Sequence, residues 1–374
     1  MVLAPLIRKN YEASARFLEQ ITNGDIPRSF WLDRFEYWWH NNPNMNDAIP
    51  RGWILLSDDG KIGGFLGNIP VKYQINGQEQ IVCGATSWYV APDFAKKGME
   101  LFYAFLKQPP PFLDTTPTEK VARVLRGLKF FQLKKEWLKR EAIYPIQAKE
   151  FWVFIVNKFS SNKYLEFALK LIGLLVVPLI AMYQKAYEFK ILFLDKKYEA
   201  KEIIRFDSSY SQLWTQLKNQ YKVIAVRDWE ALNWYFFGSK GLLATRKVIG
   251  INKNGVPIGY AALKLITRTI RGRTYYHFEL IDMVMIEKHE SAYYALLKGL
   301  LSFARSYDKK IAFIKIIPFD ENMKTYINKL GFLWQTMESR FYYRGFAVDS
   351  SSMPDAMEKS FYATPLDGDR GSFP

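Results

Sequence analysis

The chain is poor in the residues that bind metals and cross-link folds. It has one cysteine, Cys83, and three histidines, His40, His277 and His289, in 374 residues. A single thiol excludes an intramolecular disulfide and gives no sign of an oxidising compartment. Soft ligands so few and so scattered do not make the spacing of a metal site. No metal is therefore expected, and the histidines read as packing or surface residues. Residues 1–10 hold a short apolar run at 2–7 with no positive segment before it, so no export signal is expected. An unbroken apolar segment of membrane-spanning length is also lacking. Residues 171–184 carry no charge, but Lys170 and Lys185 bracket them and Pro178 interrupts them. That stretch is expected to be a buried or interfacial helix, with 165–184 the place for any peripheral membrane contact.

Apolar residues and aromatics are plentiful. Hydrophobic residues make up 49% and aromatics 17%, enough for a core in each half and far from the composition of a disordered chain. The formal charge is +15, a surplus that favours anionic partners: a nucleotide cofactor, an acidic carrier protein, tRNA or an anionic membrane. A solvated lysine-rich surface accounts for the same charge without any partner.

The second half repeats the first. Trp39 and Trp234, Gly60 and Gly255, Gly64 and Gly259, and Gly77 and Gly272 are each separated by the same 195 positions. Helical spacing covers 11–22, with Ala13, Phe17, Leu18 and Ile21 on one face. An aromatic run at 31–39 stops at Asn41-Asn42-Pro43. Strands follow at 53–56, 62–73 and 79–90, separated by turns at Asp58-Asp59-Gly60 and Asn76-Gly77. A helix at 98–107, a strand at 112–115 and a helix from 117 or 118 to 128 complete the half. The order recurs: a helix at 208–220 capped by Asp207, an aromatic run at 231–237, and turns at Asn254-Gly255 and Arg271-Gly272. Then come a long strand at 274–286, a helix at 292–307, a strand at 311–317 and a helix at 322–330. The expected domains are 1–147 and 206–347, with an apolar, mostly helical connector at 148–205 and a tail at 348–374 rich in Ser, Pro, Asp and Gly. Strands and helices in this order specify an α/β (α+β) protein. Each half is a mixed, mostly antiparallel sheet with flanking helices. In each, a strand-to-helix junction follows the long strand, where an anion can meet a helix N-terminus.

The first junction reads Val90-Ala91-Pro92-Asp93-Phe94-Ala95-Lys96-Lys97-Gly98-Met99-Glu100-Leu101. It resembles the cofactor loop of the GNAT acyltransferase superfamily, Val-x-Pro followed by Arg-x-x-Gly-x-Gly and an apolar helix. Leu330-Gly331-Phe332 resembles the family's Leu-Gly-Phe, and the first half has Leu128-Lys129-Phe130 in its place. Leu232-Asn233-Trp234-Tyr235 is similar to the Leu-Asn-Trp-Arg-Tyr segment of tandem GNAT proteins. Tyr362-Ala363-Thr364-Pro365-Leu366-Asp367-Gly368-Asp369 resembles their Asp-x-Asp ending. Together these cover nearly the whole chain.

The resemblance implies two GNAT-like domains and an N-acyltransferase that takes its acyl group from acyl-CoA or an acyl carrier protein. Successive backbone N–H groups at a helix start form an anion nest, and glycine lets phosphate come close. Val90, Lys96, Lys97, Gly98 and Met99 are the expected cofactor-binding residues, although Ala95 replaces the family's arginine and Glu100 its second glycine. The second junction, Ile286-Glu287-Lys288-His289-Glu290-Ser291-Ala292, has no glycine or proline and sets carboxylates where phosphate would sit. The first half is thus expected to hold the donor and the second to serve the acceptor. Direct attack by an amine on the thioester needs positioning, a backbone N–H near Val90 to polarise the carbonyl, and a base. Asp114 is the first choice of base, with Glu279 and Asp282 as alternatives. The family's tyrosine acid would fall at Leu125 or Ile327, with Tyr326 one position away. A lysine- or ornithine-type amine in a peptide, or an amino sugar, is the expected acceptor, and the apolar insert suits a fatty acyl group. The expectation is a cytoplasmic, membrane-peripheral biosynthetic enzyme that lipidates a peptide, with no nucleic acid partner. The other readings are a FemAB-like peptidyltransferase using aminoacyl-tRNA and a non-catalytic interaction protein with both loops decayed.

Overall fold

The computed structural model describes residues 1–135, 138–160, 162–189, 197–346 and 360–367. The chain opens with β1 (Val2–Pro5), α1 (Tyr11–Ile21) and α2 (Arg28–Phe35), which runs into a single π-helical turn at Glu36–His40. Next come β2 (Gly52–Leu56), β3 (Ile62–Ile75), β4 (Gln78–Val90), α3 (Gly98–Leu106), β5 (Phe112–Asp114), α4 (Glu119–Gly127) and β6 (Phe131–Gln132). The middle holds β7 (Arg140–Pro145), α5 (Ala148–Phe159), α6 (Lys163–Phe189), β8 (Tyr198–Ile203), α7 (Ser209–Leu217), β9 (Val223–Ala225) and α8 (Trp229–Phe237). The repeat then resumes with β10 (Arg246–Lys253), β11 (Val256–Ile270), β12 (Arg273–Met285), α9 (Glu290–Ser306), β13 (Ile311–Ile316), α10 (Glu321–Lys329), β14 (Leu333–Thr336) and β15 (Tyr342–Arg344), and the closing segment adds β16 (Phe361–Tyr362).

The turns form where their residues demand. Asn76 and Gly77 both have positive φ, as do Asn254 and Gly255, and Arg271 and Gly272. Two consecutive left-handed residues give the turn whose twist matches the flanking strands. The three turns close antiparallel hairpins, β3–β4 in the first copy and β10–β11 and β11–β12 in the second.

Two compact units result, and they are interleaved along the chain. The first takes Met1–Lys134, Lys218–Ala244 and Arg340–Phe373; the second takes Lys135–Leu217 and Thr245–Ser339. The sheet of the first unit runs β1-β2-β3-β4-β5-β15-β6, with β9 on β3 and β16 on β9. The sheet of the second runs β14-β7-β13-β12-β11-β10-β8. The two orders correspond strand for strand. In each, however, the strand between the last two repeat strands comes from the other copy: β15 lies between β5 and β6, and β7 between β13 and β14.

The contiguous bodies 1–147 and 206–347 read from the sequence are therefore not the compact units. A strand's residue pattern specifies which face is buried, not which of two similar sheets it joins. Residues 218–244 are the other difference. Their α8 belongs to the first unit, where Trp234 stacks on Tyr37 at 5.3 Å and its indole N–H donates to the Tyr37 carbonyl at 3.0 Å. The residues 360–367 of the expected tail are also built into the first unit. β16 pairs with β9, and the buried Arg227 guanidinium meets Asp367 at 3.3 Å. Asp369, the second acid of the Asp-x-Asp ending, lies outside the described residues.

The first unit's core lies between the sheet and helices α3 and α4, where Trp53, Leu66, Leu101, Phe102, Phe105, Phe112, Leu125 and Phe130 are all buried. In the second unit α5 lays Phe151 and Phe154 against Tyr275 and Phe313. Within the expected connector α5 and α6 are helices and β8 is a strand of the second sheet; α6 is not buried. It is 27 residues long and turns most of its apolar side chains outward. By length and composition it is the one helix among the described residues that could cross a membrane.

Candidate functional site

Strand β4 is irregular where the first junction begins. Phe65 pairs with Tyr89 and Gly67 with Thr86, so Leu66 alone faces both Ser87 and Trp88. Ser87 has φ 55°. A non-glycine residue in the left-handed region is uncommon, and an extra residue in one strand makes a bulge that bends the strand and re-aims its groups. The same strand soon loses its parallel neighbour. Its pairing with β5 covers only Cys83 and Gly84, and β4 continues to Val90. The two strands part there, and β4 continues with β3 as its only strand neighbour among the described residues.

A cleft of about 190 Å³ opens in this divergence. Thr86, Ser87 and Trp88 line it from β4, and Asp114, Thr118 and Val121 from the opposite side. Asp114 is the last residue of β5, half-buried, opposite Tyr342 of the exchanged strand β15. Tyr342 is held in place because its hydroxyl accepts from Arg126 at 2.9 Å and donates to Gln132 at 3.1 Å. Thr118 caps α4 by accepting from the Val121 N–H. Asp114 is thus the one expected catalytic residue that the structure places in this cleft. Nothing in the sequence marked Ser87 or Trp88. A serine in a strand carries no signal that its backbone is left-handed.

The junction beyond β4 is a 3-10 helix, Pro92–Lys97, running directly into α3. Gly98 donates its N–H to the Ala95 carbonyl, so that group is not free to meet a ligand. The face of Gly98 that lacks a side chain lies 3.3 Å from Val90 Cγ2, and Met99 packs on the core. Val90, Gly98 and Met99 therefore form the seam that lets α3 lie close against β4. Lys96 is exposed, and Lys97 is 3.8 Å from Glu100. Neither helix start has a side-chain cap. The positive end of α3 and the two lysines are what this junction offers an anion. Cys83 lies on β4 near the cleft, but burial pushes its thiol up to about 11, against a smaller lowering by Asn68. It supplies no thiolate nucleophile at neutral pH.

The second copy has the same divergence, but the strand beyond it is buried. β12 pairs with β13 as far as Glu279, and its register with β11 slips around Ile281. The rest of β12 is buried. Tyr293, at the position equivalent to Gly98, is fully buried and donates to Asp320 at 2.5 Å. Asp282 is fully buried and accepts from Tyr260 at 2.5 Å. Glu279 lies 3.2 Å from the His277 ring nitrogen and accepts from Lys315 at 3.1 Å. Both carboxylates are part of the second unit's internal packing, and neither lines the first unit's cleft. At the second junction Lys253 donates to Glu287 at 2.6 Å, His289 lies 2.7 Å from it, and His289 also caps α9. Burial would raise the Glu287 carboxyl, but its hydrogen bonds from Lys253, His289 and Tyr198 win and hold it below the usual range. Leu125 and Ile327 are buried core residues without hydroxyls, and Tyr326 stacks 5.2 Å from Tyr293.

No protein-family model matches the chain, and no curated protein matches it in sequence. Solved structures do. A GCN5-related N-acetyltransferase from Anabaena variabilis superposes with a TM-score of 0.55 at 13% identity, over 92% of this chain and 73% of that one. Saccharomyces cerevisiae N-myristoyltransferase with bound myristoyl-CoA superposes with a TM-score of 0.54 at 12% identity, over 92% and 83%. A probable N-acyltransferase from Enterococcus faecalis gives 0.53 at 10% identity, over 91% and 72%. At such identities the likeness is one of fold. Bulged strand, diverging neighbour and following helix thus belong to a GNAT-like fold, which this chain carries in two copies.

Proposed function

We propose that the chain is an N-acyltransferase that takes an acyl group from an acyl-CoA thioester, bound at the first unit, and passes it to a primary amine. The observation that carries this reading is the open divergence of β4 and β5. It sets a bulged strand across a cleft from the Asp114 carboxylate. The fold neighbours support the class of reaction: two are acyltransferases by name and one was solved with myristoyl-CoA. In this reading Lys96, Lys97 and the start of α3 attract the phosphates of the donor. The thioester lies along β4 with its carbonyl toward backbone N–H groups of the bulged strand, where developing negative charge is stabilised.

The amine nitrogen attacks the thioester carbon. A C–N bond forms, the C–S bond breaks, and the departing thiolate takes a proton from solvent water, which balances the one that the amine gives up. The ammonium proton passes to Asp114, directly or through a water. The inert Cys83 is consistent with direct attack rather than transfer through an acyl-cysteine. The apolar walls at Trp88 and Val121 suit an acyl chain, and the donor is taken to be a fatty acyl thioester. A peptide lysine- or ornithine-type amine, or an amino sugar, is the acceptor class.

Calorimetry and intact-mass spectrometry with a panel of acyl-CoA donors and amines test the reading. The expected result is heat on binding coenzyme A and a mass gain of one acyl group on an amine. Heat with no transfer to any amine would leave a binding protein. Binding of aminoacyl-tRNA at moderate salt, with none of coenzyme A, would favour the FemAB-like peptidyltransferase instead.

A further inference from the structure

Helix α6 is built inside out. Its outward face carries Tyr164, Phe167, Leu171, Leu174, Leu175 and Leu179 at helical spacing, and Leu174 and Leu175 are each 74% exposed. A continuous apolar stripe of this length on a helix of 27 residues, about 40 Å, is not an ordinary solvated surface. The opposite face is fixed to the second unit. Trp152 fills the space beside Gly173, where a Cβ would lie 2.4 Å from the indole nitrogen, and it donates to the Leu169 carbonyl at 3.1 Å. Gln184 is buried and donates to the Pro145 and Ile146 carbonyls at 2.6 and 3.1 Å. Tyr144 donates to Glu188 at 2.9 Å, and Arg305 holds the same carboxylate.

Charge specifies what can cover the stripe. Three carboxylates of α5 and α6, Glu150, Glu166 and Glu188, are each within ion-pair reach of an arginine elsewhere in the unit: Arg273, Arg271 and Arg305. Lys149, Lys158, Lys163 and Lys185, on the same two helices, carry no ion pair among the described residues. A groove of about 340 Å³ between α5 and α6, walled by Trp152, Val156, Leu174 and Val177, has Lys149 and Lys170 among its lining. Apolar side chains flanked by unpaired cations match acyl chains beneath anionic headgroups. A chain of charge +15 adds a long-range attraction of the same sign.

We infer that α6 is a monotopic membrane helix, lying in the plane of an anionic lipid surface with its outward face among the acyl chains. The anchors on Gln184, Glu188 and Trp152 oppose spanning, because insertion across the bilayer would strip them.

The experiment is cosedimentation of the full chain with phosphatidylcholine vesicles and with vesicles in which phosphatidylglycerol replaces part of that lipid. Wild type is expected to bind the anionic vesicles and to be released by alkaline carbonate. The variant Leu174→Gln, Leu175→Gln, Leu179→Gln alters only exposed positions and should lose binding by about tenfold or more. The variant Lys163→Gln, Lys185→Gln should lose binding to the anionic vesicles alone and show a weaker salt dependence. Absence of wild-type binding to either vesicle overturns the inference, and so does binding that the leucine variant leaves unchanged. Resistance to carbonate overturns the in-plane placement. A wild-type dimer that the leucine variant turns into a monomer, with no vesicle binding, assigns the face to a second copy of the chain.

Discussion

Asp114 and Lys129 show how single residues carry the two halves of the reading. Among the described residues the Asp114 carboxylate is the acid that both the sequence and the cleft offer as a base. Asp114→Asn keeps the size and removes the proton acceptor. It is expected to lower kcat by about 10²–10⁴ with little change in donor affinity, measured by steady-state kinetics with a saturating donor. A kcat within a few-fold of wild type would remove Asp114 from the mechanism. Lys129 and Gly331 are the middle residues of the two Leu-x-Phe motifs, and both end a helix in the left-handed region, at φ 60° and 74°. The first copy tolerates lysine there because the side chain is exposed, whereas a Cβ on Gly331 would meet the Tyr183 hydroxyl at 2.7 Å. Lys129→Gly should therefore stabilise the fold by about 0.5–1 kcal/mol, the relief of left-handed strain less the added freedom of glycine in the unfolded chain. Urea unfolding checks the sign. The motifs were legible in the sequence, since a left-handed cap announces itself by its glycine. Ser87 was not, because nothing about serine between Thr86 and Trp88 marks a bulge. Gly98 was legible as important but for a different contact: it faces Val90 and allows close helix packing. Gly98→Glu would therefore disturb that seam as well as any anion.

Among the elements, hairpins and helices followed their sequence signals closely, because turn glycines and helical periodicity are local. The exchange of β7 and β15 was not readable. Both are short strands whose residues fit either sheet, and only the three-dimensional contacts choose between them. The aromatic run at 231–237 was found, but its place beside Tyr37 in the first unit was not, since repeat spacing suggested a role in its own half. The closing segment is the third such case. Its Ser, Pro, Asp and Gly content read as a tail, yet Thr364 and Asp367 together surround the Arg227 guanidinium. Arg227 is buried beneath them. Asp367→Asn leaves that cation buried without its counter-charge and is expected to destabilise the chain by about 3–5 kcal/mol, far beyond a surface pair. Equilibrium unfolding of the full chain measures this, and a loss below the range of a surface pair would mean that the segment is not held by the ion pair. For α6, the charge-free run was visible. Its true length and outward face were not, because helix ends and the side that packs are set by partners such as Trp152 and Gln184.

For the molecule as a whole, duplication supplied two strand-to-helix junctions, and divergence separated them. One keeps a bulged strand, an open cleft and two lysines at a helix start. In the other, Tyr293 and Asp320 fill the space, and Glu287, Lys253 and His289 satisfy one another. A polyphosphate donor should therefore bind only the first. Calorimetric titration of coenzyme A into three proteins tests this most directly: wild type, Lys96→Glu with Lys97→Glu, and Lys288→Glu at the second junction. The predicted result is a loss of affinity of about tenfold or more, roughly 1.4 kcal/mol or above, for the reversal at the first junction and none at the second. Unchanged binding in the first variant, or a loss confined to Lys288→Glu, would contradict the assignment of the donor site to the first copy.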